Sequence, residues 1–205
     1  QAPQNVANIV NLANRGFYNG TKFHRIVKDF MIQAGTKDGD GKTGAKLSDL
    51  KDGGEDKEYG IKGEFVSNGV NNTLKFEEGT VGVARADYTQ YSSDLKEESY
   101  NSGNSQFFIM TKANTGLNGL YTPVGKVIEG MDVVHKIEEV EVKAADDSSD
   151  NSSKSSSTSE VSTPVNPPVV TSITVDTQGV TYDLPNTLSA FDYMSWFYQN
   201  YKFGQ

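Results

Sequence analysis

The chain has 205 residues, enough for one domain of ordinary size with extensions, and no cysteine, which excludes disulfides, thiolate metal sites and cysteine catalysis. Its net charge of −8 argues against nucleic acid and anionic lipid as main partners, because both are held through basic patches. No apolar run approaches the length of a membrane span, and the first residues carry no signal-peptide pattern.

In chain order, Val6, Ile9, Val10 and Leu12 recur at helical spacing, with Pro3 suited to the start and Arg15-Gly16 to the stop. Phe23–Val27 and Phe30–Ala34 read as strands. Residues 35–63 form a long loop rich in Gly, Lys and Asp, of the kind that is usually functional or mobile. Residues 79–85 and 106–111 are short apolar runs between turn residues and read as buried strands. A second polar loop covers 87–104, a strand 124–128 and a short helix 131–137. The apolar share of 35% is low for a globular chain, and the deficit concentrates in Ala144–Thr163, a Ser-, Asp- and Lys-rich stretch expected to be flexible. Val169–Val175 alternates like a strand. In the last segment Phe191, Met194, Tyr198 and Tyr201 fall at helical spacing, and Ser189 could cap the helix. This divides the chain into a main domain over 1–143, a linker over 144–168, a final strand within 169–183 and an aromatic helical extension over 184–205.

Three segments carry the chemistry: Phe23-His24-Arg25 with Phe30-Met31-Ile32-Gln33-Ala34-Gly35, then Ser105-Gln106-Phe107-Phe108, then Gly116-Leu117-Asn118-Gly119 running on to Val124-Gly125-Lys126-Val127. Together and in this order they resemble the cyclophilin family of peptidyl-prolyl isomerases, over about residues 2–142 and again over 169–182. The resemblance implies a mainly β fold, an antiparallel eight-stranded barrel closed by two helices, with the site on its outside. It implies Arg25 and Gln33 as catalytic residues. Phe30, Met31, Ala84, Arg85, Gln106, Phe108, Leu117 and Tyr121 would bind substrate.

The chemistry explains the residue types. Amide resonance gives an X–Pro bond a rotational barrier of about 18–20 kcal/mol. In the twisted transition state the proline nitrogen gains a lone pair, which a fixed cation with directed N–H donors can bind more strongly than the planar amide. Arginine stays charged and its fork is planar. No cofactor or metal is needed. His24 and His135 are far apart in sequence, a weak metal case. Asp38-Gly39-Asp40-Gly41 lacks the closing glutamate of a calcium loop.

The sequence departs from the family pattern at four places. Gly116 stands where many members carry a Trp that contributes to cyclosporin binding, so weak drug binding is expected. Tyr121 replaces a common His and Arg85 a common Asn, with a longer loop after it, which bears on substrate preference. The two strands that normally precede the first helix are missing from this chain. An unpaired sheet edge and the aromatic C-terminus are then two routes to self-association. The partners implied are proline-containing peptides and folding proteins. The alternative function is a proline-peptide binding module or chaperone with little turnover, and a third is an interaction protein acting through its C-terminus. The stretch Val175–Tyr182 and the polar linker are similar to exported Gram-positive members, which points to a bacterial, extracytoplasmic foldase.

Overall fold

A computed structural model describes residues 1–144 and 160–201. Helix α1 spans Pro3–Asn14. The strands β1 (Arg25–Val27) and β2 (Met31–Ala34) follow, then a one-turn helix α2 (Leu47–Leu50) and strand β3 (Tyr59–Ile61). Strand β4 (Thr80–Val83), helix α3 (Lys96–Tyr100), strands β5 (Phe107–Met110) and β6 (Thr122–Lys126) and helix α4 (Met131–Glu138) complete the part with the family motifs. Strands β7 (Val142–Ala144), β8 (Val161–Pro164) and β9 (Thr187–Ser189) and helix α5 (Tyr193–Asn200) come last.

The main sheet is antiparallel with the order β1-β2-β5-β4-β6; two ribbons, β3-β9 and β7-β8, stand beside it. The fold is thus antiparallel β with helices against it, as expected. The described strands form no closed eight-stranded ladder.

The register sorts side chains onto two faces. Alternation along a strand puts successive residues on opposite sides. Ile26, Ile32, Ala34 and Phe107 point inward and pack with Leu12, Tyr18 and Val134 into the larger core, under α1 and α4. Across the other face, Arg25 lies opposite Gln33, Gln33 opposite Phe108, and Phe108 opposite Gly82. One row of paired positions therefore lines up residues 25, 33 and 108, which the sequence separates widely.

Three expectations change. Part of the supposed linker is sheet: β8 pairs with β7, Val142 opposite Pro164 and Lys143 opposite Thr163, because Ser162 and Pro164 find buried positions there. The remainder, 145–159, lies outside the described residues. Among the described residues, the supposed final strand within 169–183 makes a single bridge, Lys22 to Val169, although Val170, Ile173 and Val175 pack against the core. Among the described residues, the backbone bonds that tie it to the body are Phe23 N to Pro168 O, Val170 N to Thr21 O and Gly20 N to Val170 O. In the C-terminal segment, Ser189 belongs to β9 rather than to a helix cap; Asp192 caps α5 instead, accepting from Ser195 N at 2.9 Å. A serine paired with Tyr59 in a ribbon is in extended backbone and has no helix to cap. Residues 202–205 of the expected extension lie outside the described residues.

Candidate functional site

On the outer face of the sheet the hydrogen-bonding residues form a chain. Arg25 Nη1 donates to Gln33 Oε1 at 3.3 Å, and Gln33 Nε2 donates to Gln106 Oε1 at 2.8 Å. Gln106 Nε2 in turn donates to Gly41 O at 3.1 Å, which ties the chain to the long loop. Gln33 is fixed at both ends of its amide and so cannot turn without breaking two bonds. Arg25 Nη1 also lies 3.8 Å from Met31 Sδ.

Beside this chain lies a small apolar cluster separate from the main core. Met31, Phe76, Phe108 and Met110 are its buried centre, with Val27, Phe30, Ala84, Leu117 and Tyr121 packed around it. Phe76 and Phe108 stack at 5.5 Å, and the Tyr121 ring meets Phe108 edge-on at 5.9 Å. Phe30, Ala84, Leu117 and Tyr121 keep partly exposed surface, while Met31 and Phe108 floor the patch at 1% and 5% exposure. Leu117 closes a 3-10 turn that starts from Asn114, whose side chain accepts from Gly116 N.

Arg85 frames the other side. Its guanidinium lies over the rings of Tyr121 at 4.5 Å and Tyr100 at 5.1 Å, and its Nε and Nη1 donate to the carbonyls of Leu120 and Ala86. A cation held between two rings is oriented as well as attracted. The ten residues expected from the sequence fall into neighbouring groups: Arg25, Gln33 and Gln106 in the polar chain, Phe30, Met31, Ala84, Phe108, Leu117 and Tyr121 in the patch, and Arg85 against Tyr121.

A recess of about 610 Å³ does not coincide with the apolar patch. It takes in Gln33, Ala84, Arg85 and Gln106 and extends away from Phe30 and Leu117 towards Tyr88, Leu188 and Phe191. Ala84 belongs both to the patch and to the lining of the recess, so the two adjoin. The far wall of the recess comes from the C-terminal segment, which β9 brings there by pairing with β3.

One residue at the site escaped the sequence reading. Glu160 makes a bidentate ion pair with Arg25, at 2.7 Å from Nε and 2.8 Å from Nη2. These bonds from Arg25 hold the Glu160 carboxyl below the usual carboxylate range. Nothing local in a Ser-rich stretch marks that glutamate; the signal is the pairing of β8 with β7 beside β1. His24 takes no part in the row. It lies against Gly41, where a methyl group on that glycine would press on its ring. His135 sits on α4 between Glu138 and Glu78.

Comparison with known proteins bears on this geometry. A family profile described as cyclophilin type peptidyl-prolyl cis-trans isomerase/CLD matches residues 1–159. A probable peptidyl-prolyl cis-trans isomerase of Brucella abortus (strain 2308) is 40% identical over 147 residues, which cover 67% of this chain and 62% of that protein. The chain therefore spans less than two thirds of that relative's length. The human peptidyl-prolyl cis-trans isomerase-like 1 is 34% identical over 146 residues, 71% of this chain and 72% of that protein. Among solved structures, a cyclophilin type peptidyl-prolyl cis-trans isomerase of Cryptosporidium parvum, determined in the presence of the dipeptide Ala-Pro, superposes with a TM-score of 0.61. It is 24% identical, over 86% of this chain and 87% of that one, a likeness of fold.

Proposed function

The chain belongs to the cyclophilin-type peptidyl-prolyl cis-trans isomerases, and from that premise we propose that it catalyses rotation about X–Pro bonds in peptides and folding proteins, with Arg25 stabilising the twisted amide. The observation that carries the reading is the row formed by Arg25, Gln33 and Phe108 across β1, β2 and β5. It sets a directed cation beside an apolar surface.

In this reading the proline ring rests on Phe30, Met31, Phe108 and Leu117. Gln33 orients the guanidinium and bonds the peptide backbone. Arg25 Nη1 then donates to the proline nitrogen as its lone pair develops. Ala84, Arg85 and Gln106 border the path of the residues before proline, with the Tyr121 ring against the Arg85 guanidinium. The bond that rotates stays intact, so no proton, electron or leaving group has to be moved, and residues alone suffice. Each tenfold of rate corresponds to about 1.4 kcal/mol more stabilisation of the twisted state than of the planar one.

Finer features of the reading are proposals too. They are a barrel of eight strands around the larger core, weak cyclosporin binding at Gly116, and an extracytoplasmic bacterial setting. The last rests on the likeness of residues 175–182 and of the Ser- and Asp-rich composition to exported members.

The test is cis/trans exchange of a short X–Pro peptide, followed by exchange NMR, for the parent and Arg25→Ala. Acceleration by the parent, lost by two or more orders of magnitude in the variant, supports the reading. A folded parent that binds the peptide without accelerating exchange supports a proline-peptide binding module instead.

A further inference from the structure

The two edges of the Arg25 guanidinium have different neighbours. Nη1 overlooks Gln33 and Met31, on the side of the apolar patch. Nε and Nη2 face the two oxygens of Glu160. A carboxylate matched to two parallel N–H bonds fixes the plane of a guanidinium as well as its position. Without it, the long arginine side chain is held at the groove by one 3.3 Å bond to Gln33 and a weak contact to sulfur.

Glu160 is itself anchored. It precedes β8, whose Ser162 is buried and hydrogen-bonds the Glu160 side chain. The strand is fixed by its pairing with β7 and by the bond from Val165 N to Glu141 O. Glu160 also lies immediately beyond the residues matched by the family profile, which end at 159. The anchor of Arg25 is thus supplied by a part of the chain outside the shared motifs.

We infer that Glu160 is a positioning residue for the proline isomerase reaction: it takes the Nε and Nη2 edge of Arg25 and leaves Nη1 as the donor held over the substrate. The inference rests on the isomerase reading. A competing carboxylate, one that substrate must displace, would have to occupy the groove edge of the guanidinium, and Glu160 occupies the other. The ion pair is partly exposed, with Arg25 and Glu160 side chains 35% and 48% accessible, so water screens much of the charge that Glu160 offsets. The directed bonds remain.

The test is steady-state kcat and KM for X–Pro exchange in the parent, Glu160→Gln, Glu160→Ala and Glu160→Asp. Alongside it, the Arg25 Nε–H signal is followed by 15N NMR, assigned by its absence from Arg25→Ala. Loss of a charge-assisted pair is expected to lower kcat about tenfold in Glu160→Gln and Glu160→Ala. KM should stay within about twofold, because the proline patch is untouched, and Glu160→Asp should recover part of kcat. The Nε–H signal should exchange slowly in the parent and fast in Glu160→Gln. Unchanged or raised kcat in Glu160→Gln overturns the inference, and so does a fast-exchanging Nε–H in the parent. That second measurement needs no variant to fold. A parent without isomerase activity but with a slow Nε–H that Glu160→Gln loses would mean that the ion pair is real and the isomerase reading has failed, and the positioning role with it.

Discussion

Gly82 is where the sheet makes room for the substrate surface. It lies opposite Phe108 in the register of β4 and β5. A Cβ built on it would come within 2.5 Å of the Phe108 ring and 2.6 Å of Phe76. Both neighbours are aromatic rings stacked on one another, so neither can swing aside cheaply. Gly82→Ala is expected to destabilise the protein by about 1–3 kcal/mol and to lower kcat/KM by raising KM, since Phe108 floors the patch; urea denaturation and peptide kinetics check both. The two histidines make a contrasting pair at the same scale. Burial lowers the His24 pKa, so its contribution to stability is present above the ordinary value near 6.5 and is lost as pH falls. Hydrogen bonds that the imidazolium donates to Glu138 and then to Glu78 raise that of His135, so its contribution is complete below 6.5 and is lost as pH rises through its folded pKa. Imidazole NMR titration should show one midpoint on each side of 6.5. His135→Gln should lower Tm at pH 5.5 and leave it unchanged at pH 9.

At the scale of elements, α1 shows why periodicity can reveal a helix and still hide what holds it. Its apolar residues and Pro3 predict the helix, and it forms over Pro3–Asn14. Its first turn, however, has no side-chain cap from Ala2. The free N–H groups of Gln4 and Asn5 go to the carboxylate of Glu64, at 3.2 and 2.9 Å, and Asn5 Nδ2 adds a bond of 2.7 Å. A negative group at a helix N-terminus is also favoured by the helix dipole. Glu64 lies 59 positions from Asn5 and is 5% exposed, so no local pattern could have assigned it this task. Glu64→Ala leaves buried donors unpaired and is expected to cost about 1–3 kcal/mol, read as a lower urea midpoint. Because α1 packs on the inner face, kcat/KM at saturating fold should stay near the parent's. Strand β3 is likewise held by a distant segment. Three buried residues, Tyr59–Ile61, sit inside a long polar loop, and their partner β9 lies far along the chain. A strand that short becomes visible only through its partner.

For the whole molecule, the site was more legible than the architecture around it, and the register explains why. The motif residues occupy neighbouring strands, so alternation and antiparallel pairing suffice to gather Arg25, Gln33 and Phe108 on one face. The peripheral pieces depend on contacts between distant segments with little apolar content: β7 with β8, β3 with β9, and residues 168–170 along 20–23. The aromatic end joins the body in the same way, Phe191 meeting Tyr88 at 4.9 Å and Tyr193 meeting Tyr91 at 4.3 Å. Of these late segments, β8 and the aromatic end reach the outer face, through Glu160 and the recess wall, whereas Val170, Ile173 and Val175 pack on the larger core, so at those three residues stability and chemistry are separable. Ile173 packs into the larger core, on the side of the sheet away from Arg25. Its exposure is intermediate, so Ile173→Ala removes only part of a full burial and is expected to cost about 1–2 kcal/mol. Thermal unfolding should register that loss. Exchange kinetics below the transition should match the parent's in kcat and KM, because no atom of the row from Arg25 to Gly82 rests on Ile173. A fall in kcat without unfolding would mean instead that the two faces of the sheet are coupled, and that packing at Ile173 helps to set the geometry of the site.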